Sequence, residues 1–132
     1  DDPRAARLAG ATLDAGAAAM KPGTLVSEVY KCMADFRENH GLPHAISEGH
    51  GLGMEIRGYP IVARSYDRRF QDECIDIDSN LPLAENMVMN LEVLTMLGGL
   101  GSWHCEMSFV ITESGAEELI GYKRDRPWAG GK

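Results

Sequence analysis

Nothing in this 132-residue chain is apolar for long enough to cross a membrane, and no charged-then-apolar leader pattern opens it. Positive charge is in deficit: 13 Lys and Arg stand against 20 Asp and Glu, a formal net charge of −7. That balance argues against nucleic acid and against an anionic membrane as partners. Cysteine is sparse. Cys32, Cys74 and Cys105 form an odd set with no close-spaced pair, so they read as reduced thiols of a cytoplasmic protein. Their spacing also excludes a zinc cluster built on cysteine. Internal repeats and low-complexity segments are missing too. What is present is ordinary globular composition, 44% hydrophobic and 25% charged, in a chain able to bury the core of one domain or part of one.

The pattern along the chain changes once. A helix pair is expected over about residues 3–41, a strand-and-loop region over 42–80, a hairpin over 81–120 and a polar tail over 121–132. Pro3 suits a first helical turn, and Ala5, Leu8, Ala9, Leu13 and the alanines at 17–19 mark an apolar stripe ending near Met20. Lys21-Pro22-Gly23 is a stop. Thr24 or Ser27 can cap a second helix, whose apolar positions Val26, Val29, Tyr30, Met33 and Phe36 keep helical spacing up to His40-Gly41. Residues 49–53 are glycine-dense. Residues 66–79 are charged and irregular and read as a loop or lid. A last short strand is expected over 116–120.

The most informative segment is the hairpin. Residues 87–97 and 102–112 are apolar, strand-like arms around Gly98-Gly99-Leu100. Side chains alternate faces along a strand, which groups Asn90 with Glu92 on one arm and His104 with Glu106 and Ser108 on the other. Pairing Leu97 with Gly101 around a three-residue loop brings Glu92 directly opposite Glu106. Like charges at such positions are destabilising. A half-buried sheet keeps them only if a proton or a cation compensates, and the cation reading makes this a metal site; the alternative is a solvent-facing pair, or one paired with Lys or Arg.

The order of the motifs carries a resemblance. Gly49-His50-Gly51-Leu52-Gly53-Met54-Glu55-Ile56 resembles the GHGIG-type motif of the pita-bread metallohydrolases, which include methionine aminopeptidase, aminopeptidase P, prolidase and creatinase. Residues 83–92 (LAENMVMNLE) resemble their "L..GMVFTIEP" strand, and residues 105–117 (CEMSFVITESGAE) their closing "RIEDTVLVTEDGAE" segment. The alanine-rich helix, Lys-Pro-Gly and second helix resemble the helix pair that precedes the histidine motif. The resemblance implies an α+β fold, the C-terminal part of a pita-bread domain, with the helix pair packed on an antiparallel curved sheet. It also implies a dinuclear centre of two Asp, one His and two Glu. By motif position His50 is the histidine ligand and Glu92 and Glu106 are the glutamate ligands, for Mn, Co, Fe or Zn.

The departures from that pattern are specific. The family's two Asp ligands precede its helix pair and have no assignable counterpart here; Asp1 and Asp2 sit at the very start, and Asp72, Asp76 and Asp78 fall in the charged segment. The peptidases carry a second histidine seven residues after the ligand histidine, where this chain has Arg57. Val93-Leu94 replaces the Pro-Gly after the first glutamate, and His104 stands where aminopeptidase P has arginine. The segment by itself is therefore expected to bind a single metal ion weakly and to be a poor catalyst.

His50, Arg57 and His104 are the catalytic candidates, and His44 and Arg57 the substrate-binding ones. Arg57 either forks onto a substrate carboxylate or pairs with Glu55 or Asp67. His104 either orients substrate or a ligand carboxylate or is a plain surface histidine, and His44 is either active-site rim or loop surface. Trp103 reads as core or interface, Met87, Met89, Met96 and Met107 as core filler, and Cys105 as inert packing on the face opposite Glu106. The function expected is a metal-dependent hydrolase resembling Xaa-Pro aminopeptidase or prolidase, cytoplasmic, homodimeric and acting on a small molecule or short peptide. A creatinase-like, ectoine-hydrolase-like or dimethylsulfoniopropionate-lyase-like enzyme, or a non-catalytic binding module with a decayed site, is the alternative.

Overall fold

The computed structural model describes residues 3–43, 47–64, 69–71, 76–78, 80–97 and 101–121. Two helices, α1 (Pro3–Ala19) and α2 (Val26–Asn39), precede seven strands: β1 (Ser47–Gly51), β2 (Gly58–Ala63), β3 (Arg69–Gln71), β4 (Asp76–Asp78), β5 (Val88–Leu97), β6 (Gly101–Thr112) and β7 (Gly115–Glu118). Five strands form one antiparallel sheet in the order β2-β1-β5-β6-β7, and β3 pairs with β4. This is the expected α+β arrangement of a helix pair on an antiparallel sheet.

One face of the sheet is the core. Met89, Leu91 and Val93 of β5 and Met107, Phe109 and Ile111 of β6 point at the helices, which answer with Ala9, Leu13, Val26, Val29 and Met33, all buried. The helical positions recur at three- and four-residue intervals, so each helix presents one apolar stripe. Each fully buried large side chain in this layer contributes about 1.5–3 kcal/mol. The strand alternation then forces Asn90, Glu92, Glu106 and Ser108 onto the other face.

Several expectations need correction. Neither Thr24 nor Ser27 caps α2. Leu25 occupies the cap, its N–H donating to the Glu28 carboxylate at 2.8 Å, while the Ser27 N–H donates to Asn80 at 3.2 Å. The reason is tertiary: Leu25 bridges to Pro82, and Gly23, Val26 and Leu83 hydrogen-bond across the same seam, which fixes where the helix begins. Residues 66–79 are not all loop, since they contain the β3–β4 ribbon. Its register sets Arg69 opposite Asp78 and Gln71 opposite Asp76. The last strand ends at Glu118, leaving Leu119 and Ile120 exposed. Met96 is not core filler; alternation places it on the outer face of β5, 65% exposed. Cys105, by contrast, lies where the sequence reading puts it, half-buried on the helix side opposite Glu106, and burial pushes its thiol pKa up, which keeps it protonated.

Candidate metal centre

β1 runs between β2 and β5, and His50, its fourth of five residues, lies opposite Asn90 on one side and Ile61 on the other. The glycines that frame it have a steric reason. A Cβ on Gly49 would lie 2.2 Å from the Asn90 carbonyl oxygen, and one on Gly51 would lie 2.3 Å from that of Tyr59. Both neighbouring backbones press against the strand, so only glycine fits on either side of the histidine. Gly49→Ala is expected to cost about 2–3 kcal/mol, the scale of core overpacking. Gly53→Ala, where a Cβ meets nothing within 4 Å, is the near-neutral control in urea denaturation.

The imidazole is oriented. Nδ1 lies 3.0 Å from the Gly51 carbonyl oxygen, which can only accept, so Nδ1 carries the proton. The Nε2 lone pair is left to face the cleft, with the Asn90 amide nitrogen 3.5 Å away. This is the tautomer a metal-binding histidine needs.

Glu92 and Glu106 are direct partners in the β5–β6 ladder, whose register also pairs Leu97 with Gly101 as the loop length predicts. One donor atom each from His50, Glu92 and Glu106 lies within 4.8 Å of the other two. Glu92 is paired with an arginine, the alternative to a metal ion in the sequence reading, and Glu106 with a neutral amide. Arg57 Nη2 sits 2.8 Å from Glu92 Oε1 and 3.0 Å from Oε2, and His104 Nε2 is 3.5 Å from Oε2. The Asn90 amide donates a short hydrogen bond to Glu106, and the Ser108 hydroxyl donates to Asn90 Oδ1 at 3.0 Å. Among the described residues Arg57 therefore pairs with Glu92 rather than with Glu55; Asp67 lies outside the described residues, as does His44. A cleft of about 680 Å³ opens over these groups, with Leu52, Ile56 and Ile120 as its apolar wall.

Asn90 and Ser108 take part in this network, and the only signal for them in the sequence is the two-residue period that puts them on the glutamate face. Arg37 and Glu48 had no signal. Ser47 pairs with Ala63 and Gly49 with Val62, so Glu48 is the extra residue of a bulge on β1. There it meets Arg37 of α2, Nε to Oε1 at 2.6 Å, and both side chains are fully buried. Arg37 also donates to Thr95 Oγ1 at 3.3 Å and to the Leu94 carbonyl at 2.8 Å. Burial pushes the Glu48 carboxyl up to about 7, against the pull of Arg37. The folded carboxyl is thus a weaker acid than an ordinary glutamate with a pKa of 4.5, and the folded state holds the extra proton between those two values. The contribution of Glu48 to stability is complete below about pH 4.5 and is lost as pH rises through 7. Relative to Glu48→Gln, the wild type is expected to lose on the order of 3 kcal/mol between pH 5 and pH 8 in urea titrations.

The donor set fits a divalent transition metal: an unprotonated imidazole nitrogen, two carboxylates, and an amide that holds one carboxylate and is itself held by a hydroxyl.

Known proteins agree with this architecture. The chain aligns over 92% of its length with an X-Pro aminopeptidase from Thermotoga maritima MSB8, at TM-score 0.74 and 22% identity, covering 31% of that protein. A prolidase from Pyrococcus horikoshii OT3 aligns over 90% of this chain and 31% of its own, at TM-score 0.72 and 22% identity. A methionine aminopeptidase from Rickettsia prowazekii aligns over 84% and 49%, at TM-score 0.61 and 18% identity. These likenesses establish the pita-bread fold, of which the chain spans a third to a half of each relative's length. No curated protein sequence matches the chain. The sequence pattern of metallopeptidase family M24 does match, over residues 2–113, so that the histidine motif, the paired glutamates and the helix pair beneath them fall in a single frame, and the chain belongs to that family.

Proposed function

We propose that this chain forms part of a divalent-metal-dependent hydrolase that cleaves short peptides of the Xaa-Pro type. The observation that carries the reading is the convergence of His50, Glu92 and Glu106 donors within 4.8 Å in a cleft with an apolar wall. A metal ion held by His50, Glu92 and Glu106 would supply Lewis acidity and lower the pKa of a water. The protein's own groups do the rest. His50 presents Nε2 because Nδ1 is tied to Gly51, and Asn90 fixes the Glu106 carboxylate. His104 stands at the edge of Glu92 and orients it. Leu52, Ile56 and Ile120, exposed along the cleft, offer an apolar surface to a substrate side chain. The reading includes the cytoplasmic setting and homodimer expected from sequence; Cys32 and Cys105 are free thiols, and no described helix is long and apolar enough to cross a membrane.

The test is hydrolysis of Xaa-Pro dipeptides with and without Mn²⁺ or Co²⁺, with a chelator control. Metal-dependent release of proline supports the peptidase. A second reading, a small non-peptide substrate bearing a carboxylate, is favoured by the Arg57 guanidinium inside the cleft. Turnover of creatine-like compounds without dipeptide cleavage would select it.

A further inference from the structure

The Arg57–Glu92 pair is asymmetric. Glu92 is on the central hairpin and is 7% exposed, so its carboxylate is fixed by the ladder around it. Arg57 belongs to the bent segment between β1 and β2, beside Met54 and Ile56, which are 106% and 87% exposed, and its own side chain is 61% exposed. Only Arg57 can move. It engages Glu92 end-on, one nitrogen against both oxygens, and among the described residues Nε and Nη1 make no hydrogen bond. The fork geometry that makes arginine a carboxylate receptor is thus unused on Glu92.

Electrostatics then links two events. The cleft sets one guanidinium against two glutamate side chains, an excess of acidic groups that disfavours an anion. Arg57 competes with a divalent ion for Glu92, because its Nη2 lies against both oxygens and two cations at contact distance from one carboxylate repel each other. We propose that Arg57 is an exchangeable cation: it holds Glu92 until a metal ion takes that carboxylate, then turns its fork to the carboxylate of an anionic ligand. Metal and anion therefore bind cooperatively, each strengthening the other by the same factor. The inference rests on the metal-site reading above and adds a carboxylate-bearing ligand class and a coupling to it.

Calorimetry with Mn²⁺ and with N-acetylproline, a monocarboxylate with no free amine to chelate the ion, tests it. Arg57→Leu should bind Mn²⁺ about fivefold tighter than wild type, the scale of a partly exposed ion pair removed from competition. In the wild type N-acetylproline should tighten Mn²⁺ binding several-fold, and in Arg57→Leu that tightening should vanish, with N-acetylproline held about tenfold more weakly. Arg57→Lys, which keeps the charge and loses the fork, should fall between. Equal or weaker Mn²⁺ binding by Arg57→Leu, or unchanged tightening in that variant, overturns the exchange. His50→Ala and Glu106→Gln separate the two ideas. If those variants bind Mn²⁺ as the wild type does, the metal-site reading has failed, whatever Arg57 does.

Discussion

Replacing Arg37 with leucine is expected to lower stability at pH 8 by about 3–5 kcal/mol, the cost of leaving a buried charge without its partner. Folding free energies of domains are about 5–15 kcal/mol, so this change approaches unfolding. The physical basis is the bulge on β1, which turns Glu48 toward α2, where water cannot reach it. Arg37 is its only counter-charge among the described residues, and it also serves Thr95 and the Leu94 carbonyl. The effect should depend on pH in a defined direction. At pH 5 Glu48 is already protonated, so losing Arg37 removes hydrogen bonds rather than stranding a charge, and the cost should fall to about 1–2 kcal/mol. The double change Arg37→Leu with Glu48→Leu removes both charges and should recover much of the loss. Equilibrium urea unfolding of the wild type, the two single variants Arg37→Leu and Glu48→Leu, and the double variant at both pH values measures all of this. A cost independent of pH would mean that Arg37 stabilises through packing of its stem rather than through Glu48.

The contrast between this pair and the paired glutamates shows what the sequence could carry. The Glu92–Glu106 register was legible because strand period and loop length are local quantities, and three residues of loop leave one pairing. The core face of the hairpin followed from the same period. The glycines around His50 were legible as a motif, but their cause was not: the carbonyls that exclude a Cβ belong to Asn90 and Tyr59, on other strands. Arg37 lies four residues after Met33, in the buried stripe of α2, where helical spacing would ask for an apolar residue. Its partner is offered by a bulge, and an inserted residue breaks the period on which sequence reading depends. Leu25 at the cap of α2 was hidden for a similar reason, since the bond that sets the boundary comes from residues 81–83. Arg57 was read against its sequence neighbours and turned out to pair across the cleft, 35 positions away.

Glu106→Gln should separate stability from function more sharply than any other single change. Glu106 is exposed, at the surface of the cleft, and its Asn90 contact uses Oε1, which glutamine retains as a carbonyl. Removing one of two facing negative charges also relieves cross-strand repulsion, so stability should hold or rise by roughly 0.5 kcal/mol. Metal binding should move the other way. The donor set loses an anionic ligand, and an amide oxygen is a poor replacement for a divalent ion that is already held by few protein groups. Since disturbing the partners of metal ligands alone costs about 10–100-fold in affinity, losing a ligand should cost more than about 100-fold, and His50→Ala should match it. Asn90→Ala, which leaves Glu106 without its amide donor and His50 without its neighbour, should fall within that 10–100-fold range. Mn²⁺ calorimetry beside thermal unfolding of the metal-free proteins reads both quantities, and one ion per chain is the stoichiometry expected from three donors. Unchanged Mn²⁺ affinity in Glu106→Gln would leave the paired carboxylates as a structural feature held by Arg57 and Asn90, and the cleft without a metal centre.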